Sequence, residues 1–327
     1  MTHPLQETIL TRLAGSTGPV SGHDLAVELG LSRTAVWKHV QALRRHGIRI
    51  RSEAGRGYVM ESDRFTAQAL TMRLEVDPPT RIGHRIRCLE EVDSTNLEVL
   101  RAADAGEPEG LVIIAEQQQQ GRGRLGRTWH TMADDALAMS VLMRPSLPPE
   151  RVPQIPLVVG VALYEAFRDL GAEVAIKWPN DILHRGAKLA GILTEMRAEP
   201  GHVQAVVAGI GINIRHPASG WPDDIDQAVT DLSTAARTPL RRLDVAERVI
   251  RSLDACYAMY LHEGFDPLRD NWWAAHAASG AQVRVRNGSG FVQGTAIAID
   301  HDGALLLSTD GDTRRIIAGD LELMGAP

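Results

Sequence analysis

Two short stretches carry the residue types that could do chemistry. The first, Gly121-Arg122-Gly123-Arg124-Leu125-Gly126-Arg127, sets three arginines in a glycine-rich loop, where planar guanidinium forks can wrap a carboxylate and phosphates. It also fits the string G-x-G-x-x-G, but a dinucleotide fingerprint opens a helix and is followed about 20 positions later by an acidic residue. Here the loop runs through Thr128-Trp129-His130 toward a strand, and the position twenty beyond Gly126 is Ser146. The readings left are an anion-binding loop and a solvated basic loop. Like charge and backbone entropy should keep such a loop mobile until an anion compensates them, so ordering on ligand binding is expected.

The second stretch, Lys177-Trp178-Pro179-Asn180-Asp181, follows the apolar Val174-Ala175-Ile176. Its Asn-Asp after Pro could be a plain turn. A partly desolvated ammonium at Lys177, however, suits neutralising a carboxylate and the phosphate formed on it. Of 35 basic residues only Lys38, Lys177 and Lys188 are lysine, so a lysine kept against that bias points to a compact cation. Two weaker signals accompany these. Asp93-Ser94-Thr95-Asn96 offers hydroxyls and an amide before a helix, where a simple helix cap is the alternative. Gly209-Ile210-Gly211-Ile212-Asn213 reads as a strand whose glycines let a ligand approach the backbone.

The elements that must position these residues fall into three groups. Residues 5 to 14 read as a short helix, Ser21 with Asp24 caps a second that stops at Gly30, and Ser32 caps a third that Gly47 ends. The third helix puts Val36, Val40 and Leu43 on one face and leaves Arg33, Thr34, Trp37, Lys38 and Gln41 outward. Ile48 to Ser52 and Tyr58 to Met60 form a hairpin, giving the winged helix-turn-helix plan. Arg33, Lys38, Arg44, Arg45, Arg51 and Arg56 gather on that helix and hairpin, which favours DNA binding over a protein-interaction module. Trp37 is large for a base-edge contact, and packing against the wing is its alternative.

From about residue 65 strands and helices alternate. Strands are expected at Arg85 to Glu91, Leu111 to Ala115, Leu137 to Met143, Glu173 to Trp178, Leu189 to Met196 and Val203 to Ile214. Helices are expected near Ile155 to Leu170 and Arg241 to His262, the latter followed by a Trp272-Trp273 turn. Beyond Gly280, three short strands with Asn287-Gly288 and Asp302-Gly303 turns suggest a small β-barrel.

Composition limits the function classes. At 327 residues and net charge −6 the chain has room for several domains and is no whole-chain nucleic-acid binder. Cys88 and Cys256 alone make neither a disulfide framework nor a zinc site. Met1 to Gln6 lacks a signal-peptide pattern and no stretch could span a bilayer, so a cytoplasmic location is expected.

Taken in order, these segments resemble the biotin protein ligase family, specifically bacterial bifunctional members that double as biotin-operon repressors. Lys188-Leu189-Ala190-Gly191-Ile192-Leu193 belongs to the same pattern, and the resemblance covers nearly the whole chain. It implies an α+β multidomain protein. A winged helix-turn-helix would span residues 1 to 64, a central mixed α/β ligase domain of the biotin/lipoate ligase type 65 to 279, and a small SH3-like β-barrel 280 to 327. Ser94, Thr95, Asn96, Gln118, Arg122, Gly123, Arg124 and Lys177 would line the biotin pocket. Arg124, Arg127, Trp129, Lys177 and Asn213 would hold ATP and the adenylate, with Trp129 stacked on adenine and Asn213 on its edge. Lys177, Arg122, Arg124 and Asp181 would form the catalytic set, and Asp181 would help deprotonate or position the incoming amine.

The resemblance further implies ATP with Mg2+, the metal ligands unassigned, and biotin as substrate and corepressor precursor. Implied partners are the biotin carboxyl carrier protein, operator DNA and a second copy of the chain on adenylate binding, with no membrane. Its alternatives are a ligase without regulatory DNA binding, a biotin-sensing regulator with little ligase activity, and a lipoate ligase. Two departures stand out: Leu125 where arginine is common, and Gln117 to Gln120, read as the helix before the loop, without an aromatic. Lys188 either touches ligand or supports the sheet, and support is the expected role.

Overall fold

The computed structural model describes residues 4–16, 18–45, 48, 50–60, 65–199, 201–287, 290–309 and 311–324. Its first part comprises α1 (Pro4–Ala14), α2 (Gly22–Glu28), α3 (Arg33–Arg45) and the antiparallel hairpin of β1 (Ile50–Glu53) and β2 (Gly57–Met60). Ser21 caps α2 by accepting from the N–H groups of His23 and Asp24, and Gly30 leaves that helix in a left-handed conformation. Ser32 Oγ accepts from Ala35 N at 3.2 Å. Val36, Val40 and Leu43 are buried with Ile9, Leu13, Leu25 and Ile50 in a small core of their own. Arg33, Thr34, Trp37 and Lys38 are exposed and Gln41 half-exposed, Trp37 retaining 51 % of its surface.

The basic face is narrower than the sequence suggests. Arg44 donates from Nε to Ile50 O at 2.8 Å and from Nη2 to Ser52 Oγ at 2.9 Å, so it ties α3 to the hairpin. Arg51 and Arg56 both pair with Glu53. Gly47 and residues 288 and 289, at the expected helix end and turn, lie outside the described residues.

The central part runs α4 (Ala67–Leu74), β3 (Arg85–Val92), α5 (Thr95–Asp104), β4 (Leu111–Gln118), β5 (Ala136–Met143) and α6 (Ile155–Asp169). It continues with β6 (Ala175–Lys177), β7 (Asp181–His184), β8 (Ala187–Glu199), β9 (His202–Asn213), α7 (Leu232–Ala236), α8 (Arg242–Glu263) and α9 (Asp266–Ala274). Strands β3 to β9 form one sheet in the order β3-β4-β5-β9-β8-β7-β6, antiparallel except for the parallel β3–β4 pair. All eight residues of β5 are buried, which is why it reads as an apolar run broken by Ser140 alone. Helix α5 packs through Val99 and Leu100 on one face of the sheet, while α6 and α8 share a core with the other.

Two expectations need correction here. Gln117 and Gln118 extend β4 and belong to no helix. Trp272 and Trp273 sit inside α9, which Pro267 starts and the fully buried Trp272 anchors, so they form no turn.

The last part holds five strands where three were expected: β10 (Gln282–Asn287), β11 (Gly290–Ile299), β12 (Leu305–Thr309), β13 (Asp312–Ile316) and β14 (Asp320–Leu323). They make an antiparallel sheet in the order β13-β12-β11-β10-β14. Its apolar face, including Val283, Val285, Leu305, Leu307 and Leu321, joins the same core as α6 and α8.

Candidate active site

Strand register lays small residues side by side across the central sheet. Ala115 of β4 pairs with Ala138 of β5, Ala138 with Gly211 of β9, and Gly211 with Gly191 of β8. The row continues to Asp181 of β7 and ends at Lys177 of β6. Cross-strand partners face the same way, so the row is a shallow trough with two charged side chains at its end. Trp129 lies in it: a Cβ on Gly211 would stand 2.2 Å from Trp129 Cε2, and one on Gly191 3.4 Å from Cζ3. In the neighbouring row Ser140 pairs with Gly209, where a Cβ would stand 2.1 Å from Asn96 Oδ1. The β9 glycines, expected to admit a ligand, line the inner cavity and also make room for Trp129 and Asn96.

Two cavities meet over this floor. The inner one, of about 50 Å³, is lined by Ser94, Thr95, Asn96, Gln118, Arg122, Gly123 and Arg124, together with Trp129, Asn180 and Lys188. Its polar groups bond to one another. Gln118 Oε1 accepts from Thr95 N at 2.9 Å and Thr95 Oγ1 at 3.1 Å, and Gln118 Nε2 donates to Thr131 Oγ1. Ser140 Oγ lies 2.7 Å from Thr95 Oγ1 and 2.6 Å from Asn96 Oδ1, while Asn96 Nδ2 donates to Glu195 at 2.8 Å and Leu193 O at 3.2 Å. Ser94 starts α5, but its buried hydroxyl makes no capping bond, which weakens the plain helix-cap reading. Such a network fixes where donors and acceptors point and suits a small polar ring.

The outer cavity, of about 690 Å³, is lined by Arg124, Arg127, Trp129, Lys177, Asp181 and Asn213, and also by Lys188, Asn180, Arg286 and Asp320. Arg124, Trp129, Asn180 and Lys188 border both. Lys177 borders the outer cavity, where Gly123 and Arg124 of the expected biotin set join it. Asn213 donates from Nδ2 to Thr230 O at 3.1 Å, which orients the amide and leaves its second N–H and its Oδ1 for an adenine edge.

The cations here have internal counter-charges. Arg122 pairs with Glu195 at 2.9 Å, and Arg127 with Asp320 at 2.6 Å. Arg124 donates to Asn180 Oδ1 at 3.0 Å and lies 3.8 Å from Asp320. These carboxylates offset the repulsion that was expected to keep the empty loop mobile, and the loop takes a tight turn with Leu125 at φ 57°. Burial opposes ionisation of Asp320, but Arg127, Arg286 and Arg124 outweigh it and hold that carboxyl below its ordinary pKa. Lys188 forms a buried ion pair with Asp181 at 2.8 Å, poorly aligned for a hydrogen bond. Its Nζ also sits 6.0 Å from the centroid of Trp129, so the expected support role is joined by a place on both cavities. Burial lowers the Lys177 pKa from the ordinary lysine value; Lys188 and Arg127 push the same way, and Asp181 and Asp320 oppose.

Sequence reasoning passed over Ser140, Glu195, Arg286 and Asp320, none of which stands in a local motif. The arrangement offers a small recess with polar side chains, an aromatic face beside it and a wide chamber lined by both cations and carboxylates. It can hold a small ligand whose free end reaches the phosphates of a second, larger one.

Comparisons with known proteins agree with that geometry. The model of the biotin/lipoate A/B protein ligase family matches residues 89–213, that of an HTH domain residues 5–59, and that of the biotin protein ligase C terminal domain residues 278–324. The bifunctional ligase/repressor BirA of Bacillus subtilis is 33% identical over 307 residues, 93% of this chain and 94% of its own. Its Escherichia coli namesake is 33% identical over 310 residues, 94% and 93% of the two chains. A solved biotin protein ligase from Aquifex aeolicus, in complex with biotin and ATP, is 25% identical with TM-score 0.63, covering 73% of this chain and 98% of that one. The chain belongs to the biotin protein ligase family, in the form that carries a helix-turn-helix domain ahead of the ligase domain.

Proposed function

We propose that the protein is an ATP-dependent biotin protein ligase that also binds operator DNA as a repressor of biotin biosynthesis genes. The observation that carries the enzymatic half is the meeting of a polar inner cavity with a cation-lined outer one at Arg124, Trp129, Asn180 and Lys188. Biotin would place its ureido ring against Ser94, Thr95, Asn96 and Gln118, with its carboxylate beside Arg122, Gly123 and Arg124. ATP would lie in the outer cavity, its base against Trp129 and Asn213 and its phosphates against Arg124, Arg127 and Lys177.

In the first step a biotin carboxylate oxygen attacks the α-phosphorus, the bond to the β-phosphate oxygen breaks, and pyrophosphate leaves with that electron pair. In the second, the amine of a carrier lysine attacks the acyl carbon of the mixed anhydride, and AMP leaves. The cations stabilise charge that develops on phosphate. Asp181 would position the amine, and its contact with Lys188 gives it the second task of fixing that cation.

Among the described residues one group of three could hold a metal ion, Asp300, His301 and Asp302. It lines neither cavity, and Arg315 pairs with both carboxylates. The protein thus offers no ready cage in the site, and Mg2+ fits as an ion brought on the phosphates of the nucleotide.

The regulatory half rests on the helix-turn-helix domain and the exposed Arg33, Thr34, Trp37, Lys38 and Gln41. We assign residues 1–64, 65–279 and 280–327 to its three domains. We also assign it a homodimer that forms on adenylate binding through the central sheet, whose edge strand β3 has a free side among the described residues. No described helix is long and apolar enough to cross a membrane, and a cytoplasmic place is part of the proposal. Incubation with ATP, labelled biotin and a biotin carboxyl carrier domain tests the ligase. Label on the carrier lysine, lost in Lys177→Ala, is the expected result; tight biotin binding with no label transferred would leave a sensor.

A further inference from the structure

Three guanidinium groups from two parts of the chain converge on one carboxylate. Asp320 on β14 meets Arg127 at 2.6 Å, Arg286 at 3.1 Å and Arg124 at 3.8 Å. Arg286 and Asp320 are register partners on adjacent strands, so their side chains leave the C-terminal sheet on the same face, and both line the outer cavity. Over the whole lining the charges balance, with Arg124, Arg127, Lys177, Lys188 and Arg286 against Asp181, Asp224, Asp226, Asp320 and Glu322, but at this one wall three guanidinium groups share a single carboxylate. Such a local cluster beside a chamber of about 690 Å³ has donors left over for an anionic group of a ligand.

Position narrows the choice of anion. The carboxylate and the α-phosphorus must meet where the two cavities join, at Arg124 and Lys188, and Arg286 borders the outer cavity only. With the base against Trp129 and Asn213, the terminal phosphates are the part of ATP left to reach Arg286, and a planar guanidinium suits phosphate. Resting on the ligase reading above, we propose that Arg286, supplied by the C-terminal sheet and oriented by Asp320, binds the part of the triphosphate that leaves as pyrophosphate. It contributes while the bond between the α-phosphorus and the β-phosphate oxygen breaks, because negative charge then builds on the leaving pyrophosphate.

The test measures biotin-dependent pyrophosphate release at varied ATP and varied biotin, and separately transfer from preformed biotinyl adenylate to a carrier domain. Arg286→Ala is expected to raise KM for ATP about 10-fold, with KM for biotin and transfer from the adenylate unchanged, and Arg286→Lys to recover part of the loss. Asp320→Asn, which frees Arg286 from its anchor, should also raise KM for ATP; a fall would show the carboxylate competing with phosphate and overturn its orienting role. An unchanged KM for ATP in Arg286→Ala overturns the assignment. So does an equal loss in both assays, because the adenylate has no pyrophosphate and a shared loss reports a displaced sheet. Wild-type protein that releases no pyrophosphate with biotin and ATP would instead remove the ligase reading itself.

Discussion

Gly209 and Gly211 stand two residues apart on one strand, yet of the side chains above them Asn96 lines the inner cavity only and Trp129 both, so alanine at each should damage the two substrates unequally. At Gly209 the new Cβ falls 2.1 Å from Asn96 Oδ1. Asn96 cannot swing away cheaply, because Ser140, Glu195 and Leu193 hold it from three sides. Losing two neutral bonds and one to a carboxylate amounts to roughly 3 kcal/mol, or about 100-fold in biotin affinity. At Gly211 the Cβ meets Trp129, which lies 2.2 Å away but is partly exposed, and its Nε1 has no hydrogen-bond partner. That indole can be lifted, so Gly211→Ala should raise KM for ATP several-fold and KM for biotin by less than Gly209→Ala does. Steady-state pyrophosphate release, with each substrate varied in turn, separates the two. If Gly209→Ala keeps a normal KM for biotin, Asn96 does not shape the biotin recess and the reasoning fails.

Three further outcomes follow from the charges. Asp181→Asn breaks a buried ion pair with Lys188 and should lower unfolding free energy by roughly 3 kcal/mol; it should also slow transfer from preformed adenylate, and unchanged transfer would take Asp181 out of the site. The depressed pKa of Lys177 means its ammonium is present below that value and lost as pH rises through it, so adenylation should decline at a lower pH than an ordinary lysine allows. Lys177→Arg should push that decline to higher pH, and coincident profiles would show that another group titrates. On the DNA side, Arg33→Ala and Lys38→Ala should each weaken operator binding and reduce the salt slope by about 1, read by fluorescence anisotropy, with ligase activity intact. Arg44→Ala should instead loosen the hairpin, because its guanidinium is spent on Ile50 and Ser52.

The parts of the fold legible in the sequence were those with strong periodicity or punctuation. Val36, Val40 and Leu43 mark a helix face by spacing, and the seven apolar residues of β5 around Ser140 mark a buried strand. Trp272-Trp273 misled because two bulky aromatics say nothing about their backbone, whereas Asp266-Pro267 ahead of them is the helix start that decides it. The loop and the Lys177 to Asp181 stretch announced themselves by charge density. What lay beyond reach was register. That Gly211, Gly191, Asp181 and Lys177 share one row depends on four strands pairing, and no local pattern contains it. A missing side chain likewise shows that space is needed but not what fills it, so the closeness of Asn96 and Trp129 to the β9 glycines could not be foreseen. Asp320 and Glu195 sit 193 and 73 residues from the arginines they neutralise, Arg127 and Arg122, too far apart for sequence spacing to pair them.

The three parts of the chain are joined in physically different ways, and the difference bears on what each can contribute. The C-terminal sheet shares its apolar face with the main core, so Arg286 and Asp320 are held as firmly as the central sheet they face. The N-terminal domain has its own core, and among the described residues only Ala14 and Met60 of it reach the main one. Its other contacts are polar: Thr11 Oγ1 meets Thr66 Oγ1 at 2.9 Å, and Arg241 donates to the carbonyls of Ser16 and Ala14. Beside Arg241, the fully buried Arg242 pairs with Glu116 at 2.6 Å, and its guanidinium lies 5.7 Å from the ring centroid of Phe65, at the start of the central domain. Glu116 stands on β4 two residues before Gln118 of the inner cavity. A shared apolar core fixes geometry, which a phosphate site needs, whereas a few directional polar contacts permit a domain to be reoriented at small cost. A DNA-binding domain whose orientation must answer to an occupied site is better served by the second kind of joint, and that is the kind this chain places beside β4.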